Sequence, residues 1–152
     1  MDLILQKSTE LGVNKILPFA AERSVVKLKD GKEKCKVERW QKICKEASEQ
    51  SKRVDIPVVT DVKCLSDLVN FDGDKIICST KKSVNSIKMF LQNHNECDKL
   101  LIVIGPEGGL SEKEENYLVK NDFVQVSLGN RIMRVETVPL FLLSVINYEF
   151  ME

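Results

Sequence analysis

The stretch Leu100–Glu114, LLIVIGPEGGLSEKE, decides the reading of the fold. Five consecutive apolar residues, Leu100 to Ile104, stop at Gly105-Pro106-Glu107-Gly108-Gly109, and a polar, acidic segment follows. An uninterrupted apolar run of that length suits a strand covered on both faces in a parallel sheet. Ser111 is a good helix N-cap, and Glu114 three residues later completes a capping box, so a helix is expected over Ser111–Val119. The stretch is therefore a strand, a tight turn and a helix. In open α/β sheets that turn lies where ligands bind, beyond the carboxyl ends of the strands.

Outward from this unit, apolar strands alternate with amphipathic helices. Residues 3–11 have helical spacing, and Gly12 supplies the stop. Lys15–Phe19 reads as a short strand with Pro18 at its edge. Lys27–Lys36 is a polar, lysine-rich loop entering a helix whose apolar positions are Val37, Trp40, Ile43, Cys44 and Ala47. Val54–Val62 is β-rich, Leu65–Phe71 a short helix, Asp72-Gly73-Asp74 a turn, and Lys75–Cys78 a strand. Ser83–Asn93 places Val84, Ile87, Phe90 and Leu91 on one helical face. Phe123–Val126 is a strand, and Thr137–Phe150 a largely apolar final helix. The alternation predicts an α/β fold, a mainly parallel sheet flanked by helices, in a single domain over 1–152.

Composition narrows the class. The chain has 152 residues, 43% hydrophobic and 30% charged, which suits a soluble globular domain with a real core. Its 23 basic and 23 acidic residues cancel, so no overall basic charge advertises nucleic-acid binding, although a local patch can sit inside a neutral total. The five cysteines (Cys35, Cys44, Cys64, Cys78, Cys97) form no C-x-x-C and none adjoins His94, the one histidine. That pattern argues against a disulfide framework or a metal site and fits reduced cysteines in a cytoplasmic protein. No apolar run is long enough to span a bilayer, and no signal-peptide layout opens the chain. Asp2-Leu3-Ile4-Leu5-Gln6 reads as an element entered midway, as in a fragment.

Two segments can carry chemistry. The turn Gly105–Gly109 lacks the spacing of a phosphate loop. Pro106 removes an amide, and Glu107 repels an anion. Gly108 and Gly109 allow positive φ and close backbone approach, so the turn suits a neutral or cationic ligand held by backbone groups; a ligand-free strand-to-helix turn explains it equally well. The second segment, Ser127–Thr137, offers Leu128, Ile132 and Met133 as the floor of an apolar pocket. Either Glu136 neutralises Arg131 or Arg134, or one arginine reaches a substrate. Glu46, Gln50 and Arg53 recur at helical spacing, which serves a functional face or a merely solvated one. Trp40 is expected to anchor the core and His94 to lie on the surface.

In combination, IGPEGGLSEKE at 104–114 and LGNRIMRVET at 128–137 resemble the ribosomal RNA small subunit methyltransferase E family. KSTELGVNKILPF at 7–19, ERSVVK at 22–27 and EASEQSKRVDIPVV at 46–59 agree in matching order, so the resemblance covers essentially the whole chain. It implies an S-adenosylmethionine-dependent enzyme of the knotted SPOUT class that methylates N3 of a uridine in small-subunit (16S) ribosomal RNA. Alternatives are another RNA methyltransferase of that class, a catalytically inactive RNA-binding module of the same fold, or a ligand-free structural domain. The resemblance further implies a C-terminal trefoil knot, which general folding rules disfavour, a homodimer, and no metal or membrane partner. The cofactor walls would be Cys78-Ser79-Thr80, the segment Ile104, Gly105, Pro106, Glu107, Gly108 and Gly109, and the segment Leu128, Gly129, Ile132, Met133 and Arg134. Leu128 and Ile132 would sandwich the adenine, and Glu107 would face the sulfonium. Arg134, and more weakly Arg23 and Arg53, would stabilise the anion developing on the uracil oxygens. The final helix, apolar on most sides, would serve the dimer. Family members carry an N-terminal RNA-gripping barrel domain and an opening strand that do not precede Asp2 in this sequence. Val138 stands where alanine is frequent, and Met133 where leucine is.

Overall fold

The structure is a computed structural model that describes residues 1–24, 32–81, 85–94 and 98–150. The chain groups into two compact units, one of Met1–Ala20, Val26–Cys64 and Glu136–Glu152, the other of Ala21–Val25 and Leu65–Val135.

In the first unit, α1 (Asp2–Glu10) and α2 (Glu33–Gln50) pack on a two-stranded parallel pair, β1 (Lys15–Ile16) and β2 (Val58–Val59). The core is Leu5, Trp40, Cys44 and Val59, with Ile16, Val37 and Ile43 against it, so Trp40 is the expected core anchor. The strands are shorter than 15–19 and 54–62 suggested. Gln41 of α2 takes over their edge: its Oε1 accepts the Val59 N–H at 2.8 Å and its Nε2 donates to the Pro57 carbonyl at 2.9 Å. α2 begins at Glu33, before Val37, because helix-forming Glu33, Lys34 and Lys36 can extend it on a wet face. Cys35 and Lys36 are thus helical, and Lys27–Gly31 of the expected loop lie outside the described residues.

α1 and α2 end in the same hydrogen-bond pattern. After α1, Gly12 N–H donates to Thr9 and Val13 N–H to Ser8, with Gly12 at φ +92°. After α2, Lys52 N–H donates to Glu49 and Arg53 N–H to Ser48, with Lys52 at φ +57°. These are Schellman ends. The second delivers Arg53 to the first: its Nη1 donates to the carbonyls of Thr9 at 2.6 Å and Val13 at 3.0 Å, and Nη2 pairs with Asp55 at 2.6 Å. Arg53 is 13% exposed in its side chain and committed to these bonds, so it clamps two helix ends. Removing it in Arg53→Ala leaves two carbonyls short of a charged donor and is expected to cost about 2–3 kcal/mol, read as a lower urea midpoint with unchanged m-value.

α6 (Thr137–Phe150) completes the first unit against α1, with Asn147 donating to the Leu11 carbonyl at 2.9 Å. Val138, Pro139 and Leu142 are buried, while Phe141, Tyr148 and Phe150 are exposed.

The second unit is a four-stranded parallel sheet in the order β4-β6-β3-β5, from β3 (Asp74–Cys78), β4 (Asn85–Ser86), β5 (Leu100–Val103) and β6 (Val124–Ser127). The central β3 buries Ile76 and Ile77, and Val126 of β6 is fully buried beside them. β5 is an edge strand among the described residues, and only Leu101 and Val103 are buried, so the expectation of a strand covered on both faces is corrected. The helices are α3 (Leu65–Leu68), α4 (Ile87–Asn93) and α5 (Glu112–Val119). α4 buries Ile87, Phe90 and Leu91 as its spacing predicted; Val84 lies outside the described residues. His94 is half-buried, stacked on Phe90 at 4.0 Å, with its Nδ1 2.8 Å from the Phe90 carbonyl. It is therefore a helix-end residue with partners, and the expectation of a plain surface residue is corrected. No helix among the described residues is long and apolar enough to cross a membrane.

Candidate functional site

Because every strand pair in the second unit is parallel, all its carboxyl ends share one edge. The register pairs Ile77 with Val103 and Cys78 with Val126. Three segments leave that edge side by side: Ser79-Thr80 after β3, Ile104–Gly109 after β5, and Leu128–Arg134 after β6. These segments hold the residues expected as cofactor walls, apart from Cys78, which is the last residue of β3, and sheet order sets them next to one another.

The turn after β5 is tight. Gly109 N–H donates to the Pro106 carbonyl at 2.8 Å, closing Pro106–Gly109, and Gly109 has φ +70°. Gly109 thus takes the positive φ that the sequence allowed to both Gly108 and Gly109. Gly108 does not adopt positive φ; a Cβ there would lie 3.3 Å from Cβ of Arg23. Gly105 is the tightest of the three, since a Cβ would come within 2.9 Å of the Leu110 amide nitrogen. Ile104, Gly105, Pro106 and Gly109 are half-buried, and Glu107 and Gly108 exposed. The expected capping box is present: Ser111 Oγ accepts from Glu114 N–H at 3.3 Å, and Glu114 Oε2 accepts from Ser111 N–H at 2.8 Å.

Ser79 is buried and continues the ladder, donating its N–H to the Val126 carbonyl at 2.9 Å. Its Oγ accepts from Lys81 N–H at 3.2 Å, which turns the chain out at exposed Thr80. Lys81 then pairs with Glu115 of α5 at 2.6 Å, and that carboxylate bond holds the Lys81 ammonium above the usual lysine range. Glu115 also accepts from Gln125 of β6 at 3.1 Å, so one carboxylate braces two of the three walls.

Burial pushes the Cys78 thiol up to about 12. At pH 8 it is expected to alkylate about a hundredfold more slowly than exposed Cys35, checked by mass spectrometry of iodoacetamide-pulsed protein. Equal rates would contradict the burial of the Cys78 thiol at the end of β3.

The third wall is the most open. Gly129 has φ +114°, with nothing within 4 Å of a built Cβ. Ser127 Oγ accepts its N–H at 3.3 Å. Leu128 and Met133 are half-buried, and Ile132 is 85% exposed. Arg131 and Arg134 are both exposed and make no ion pair among the described residues.

Arg23 joins the glycine turn, donating from Nη1 to the Gly108 carbonyl at 3.2 Å. Arg53 belongs to the first unit and is held by Thr9, Val13 and Asp55; the structure does not bring it to these walls. Glu46 and Gln50 line a groove of about 550 Å³ between α1 and α2 with residues such as Leu3 and Ile43, and Arg53 is not part of it. Among the described residues, no group of three or more His, Cys, Asp or Glu gathers to hold a metal ion. Sequence reasoning missed Glu115 and Lys81, whose pairing is set by sheet order and has no local signature.

The sequence model of one family, described as RNA methyltransferase domain, matches residues 1–147. The chain is 44% identical to ribosomal RNA small subunit methyltransferase E of Bacillus subtilis, over 98% of this chain and 61% of that protein. Among solved structures, it superposes on a putative methyltransferase from Legionella pneumophila in complex with bound cofactor SAM, with TM-score 0.90 and 31% identity, covering 97% of this chain and 60% of that one. The ribosomal RNA small subunit methyltransferase E of Neisseria gonorrhoeae bound to S-adenosyl methionine gives 0.85 at 32% identity, covering 97% and 60%. The chain thus spans about three fifths of the length of these relatives.

Proposed function

We propose that this chain, which belongs to the RNA methyltransferase domain family, provides the S-adenosylmethionine-binding and methyl-transferring part of an enzyme that methylates N3 of a uridine in small-subunit ribosomal RNA. The observation that carries this reading is the convergence of three loops on one carboxyl edge of a parallel sheet, one of them rich in glycine. The relatives named above as ribosomal RNA methyltransferases, and the two with bound S-adenosylmethionine, support the cofactor and the RNA class.

The residues present fit that cofactor. Open Gly129, which has no side chain, lets a ligand approach the backbone of the third wall closely. Exposed Ile132 and half-buried Leu128 and Met133 offer apolar faces for a purine ring, with Ser79, Thr80 and Ile104–Gly109 as the remaining walls. Exposed Glu107 is the carboxylate available to a cationic centre. S-adenosylmethionine supplies an electrophilic methyl group on a sulfonium.

In-line transfer of a methyl group needs positioning more than a covalent nucleophile. The acceptor imide nitrogen must lose its proton, and negative charge then spreads to the uracil oxygens. Arg134, exposed and without an ion-pair partner among the described residues, is the cation placed to meet that charge. Arg23, one bond from the glycine turn, is the second. Arg53 acts as the clamp described above.

The wider assignment follows the same family: a single SPOUT-type domain with a C-terminal trefoil knot, acting in the cytoplasm as a homodimer. The exposed apolar side chains of α6 (Phe141, Tyr148, Phe150) are the surface proposed for the second copy. The test is mapping of the modified nucleotide: small-subunit RNA from cells lacking the protein, treated with protein and cofactor, is digested and read by mass spectrometry. A single N3-methyluridine is expected. Methylation at another base or atom would overturn the uridine-N3 assignment and leave the methyltransferase reading standing.

A further inference from the structure

We propose that Glu114 is a positioning residue of this site: its carboxylate fastens the Ala21–Ser24 turn, and with it Arg23, onto the Gly105–Gly109 turn. The inference rests on the functional reading above only for its effect on activity.

A capping box requires one of the two carboxylate oxygens. Oε2 of Glu114 fills that role on Ser111 N–H at 2.8 Å, and Oε1 is used elsewhere, accepting the N–H of Glu22 at 2.8 Å across 92 residues of sequence. Glu22 sits in a β-turn closed by Ser24 N–H on the Ala21 carbonyl at 3.1 Å and braced by Ala21 N–H on Ser24 Oγ at 3.3 Å. The next residue, Arg23, donates to the Gly108 carbonyl at 3.2 Å, and its Cβ would lie 3.3 Å from a Cβ on Gly108. Glu114 and Gly108 flank the start of α5, so the carboxylate and the carbonyl form two points of attachment for one turn. Arg23 uses one of its five N–H donors there, and the others make no hydrogen bond among the described residues. A carboxylate accepting two backbone N–H groups is a strong, geometrically fixed anchor. One side chain therefore sets both the helix that ends the cofactor turn and the arginine beside it.

The discriminating variant is Glu22→Pro. Glu22 is the second residue of its turn, where proline's fixed φ is favoured, so the change deletes the N–H bonded to Glu114 and leaves the capping box intact. The expected result is a roughly tenfold loss of kcat for methyl transfer. Affinity for S-adenosylmethionine and Tm are expected to stay close to those of the unaltered chain. Glu114→Gln, which replaces one acceptor oxygen with a donor, is expected to lower kcat as well. Ser111→Ala, which removes the hydroxyl cap but neither carboxylate bond, should lower Tm and leave kcat in place. The second readout is independent of activity: the Arg23 Nε–Hε resonance in NMR spectra of isotopically labelled chain should shift in Glu22→Pro and Glu114→Gln, and hold in Ser111→Ala. Wild-type kcat in a folded Glu22→Pro protein would overturn the proposal. If the unaltered chain neither binds S-adenosylmethionine nor methylates RNA, the functional reading fails and the resonance decides this one: a shift in both variants supports the tether, and an unmoved resonance in both overturns it.

Discussion

In Arg134→Ala, methyl transfer to ribosomal RNA is expected to fall by about a hundredfold to a thousandfold, the loss typical of removing one donor aimed at a developing anion. Binding of S-adenosylmethionine should survive within a few fold. The basis is the freedom of Arg134: it is exposed, on the loop after β6, and pairs with no carboxylate among the described residues. A cation with no structural partner can be removed at little cost to folding, so the loss should appear in kcat with Tm unchanged. Single-turnover kinetics with titrated cofactor separate the two. Equal loss of binding and transfer would make Arg134 a cofactor wall and nothing more.

Gly105→Ala should act in the opposite way, removing cofactor binding first. The added Cβ would stand 2.9 Å from the Leu110 nitrogen and 3.3 Å from Cα of Gly109, so backbone on both sides of the turn has to move. Overpacking against backbone costs about 1–3 kcal/mol, which becomes roughly a tenfold to hundredfold loss of affinity if the binding conformation bears it. Gly109→Ala is the internal control. Its φ of +70° penalises a side chain, but nothing lies within 4 Å of the new Cβ. That change should cost about 1 kcal/mol of stability and leave more of the affinity. Calorimetry on the two variants reads the contrast; equal affinities in both would contradict the tight packing of Gly105.

Local patterns carried through to structure where the signal is itself local. The capping box at Ser111–Glu114 and the stop at Gly12 were legible because each needs only a few neighbouring residues. The inward face of α4 followed from its periodicity alone. Features set by tertiary partners were not legible. The two-residue strand Asn85–Ser86 is polar and has no alternation to detect; it exists because β6 offers it a ladder. β5 read as a central strand because its composition is uniformly apolar, yet edge position is a matter of sheet order. Two of the three site segments were identifiable singly and the third, Ser79-Thr80, only through the family resemblance; parallel topology explains why they lie side by side. Arg53 illustrates the converse: a residue in a family-like motif whose bonds here are to helix-end carbonyls 40 and 44 residues away. The second task of Glu114 was invisible because its partner Glu22 lies 92 residues earlier.

The most direct test of the central claim is calorimetric titration of the folded chain with S-adenosylmethionine and S-adenosylhomocysteine, with Gly105→Ala run beside it. The account predicts saturable binding of both ligands at one per chain, weakened at least tenfold in the variant. A folded chain that takes up neither ligand, or a Gly105→Ala variant that binds them as tightly as the unaltered protein, would contradict a cofactor site built from the three strand-end loops.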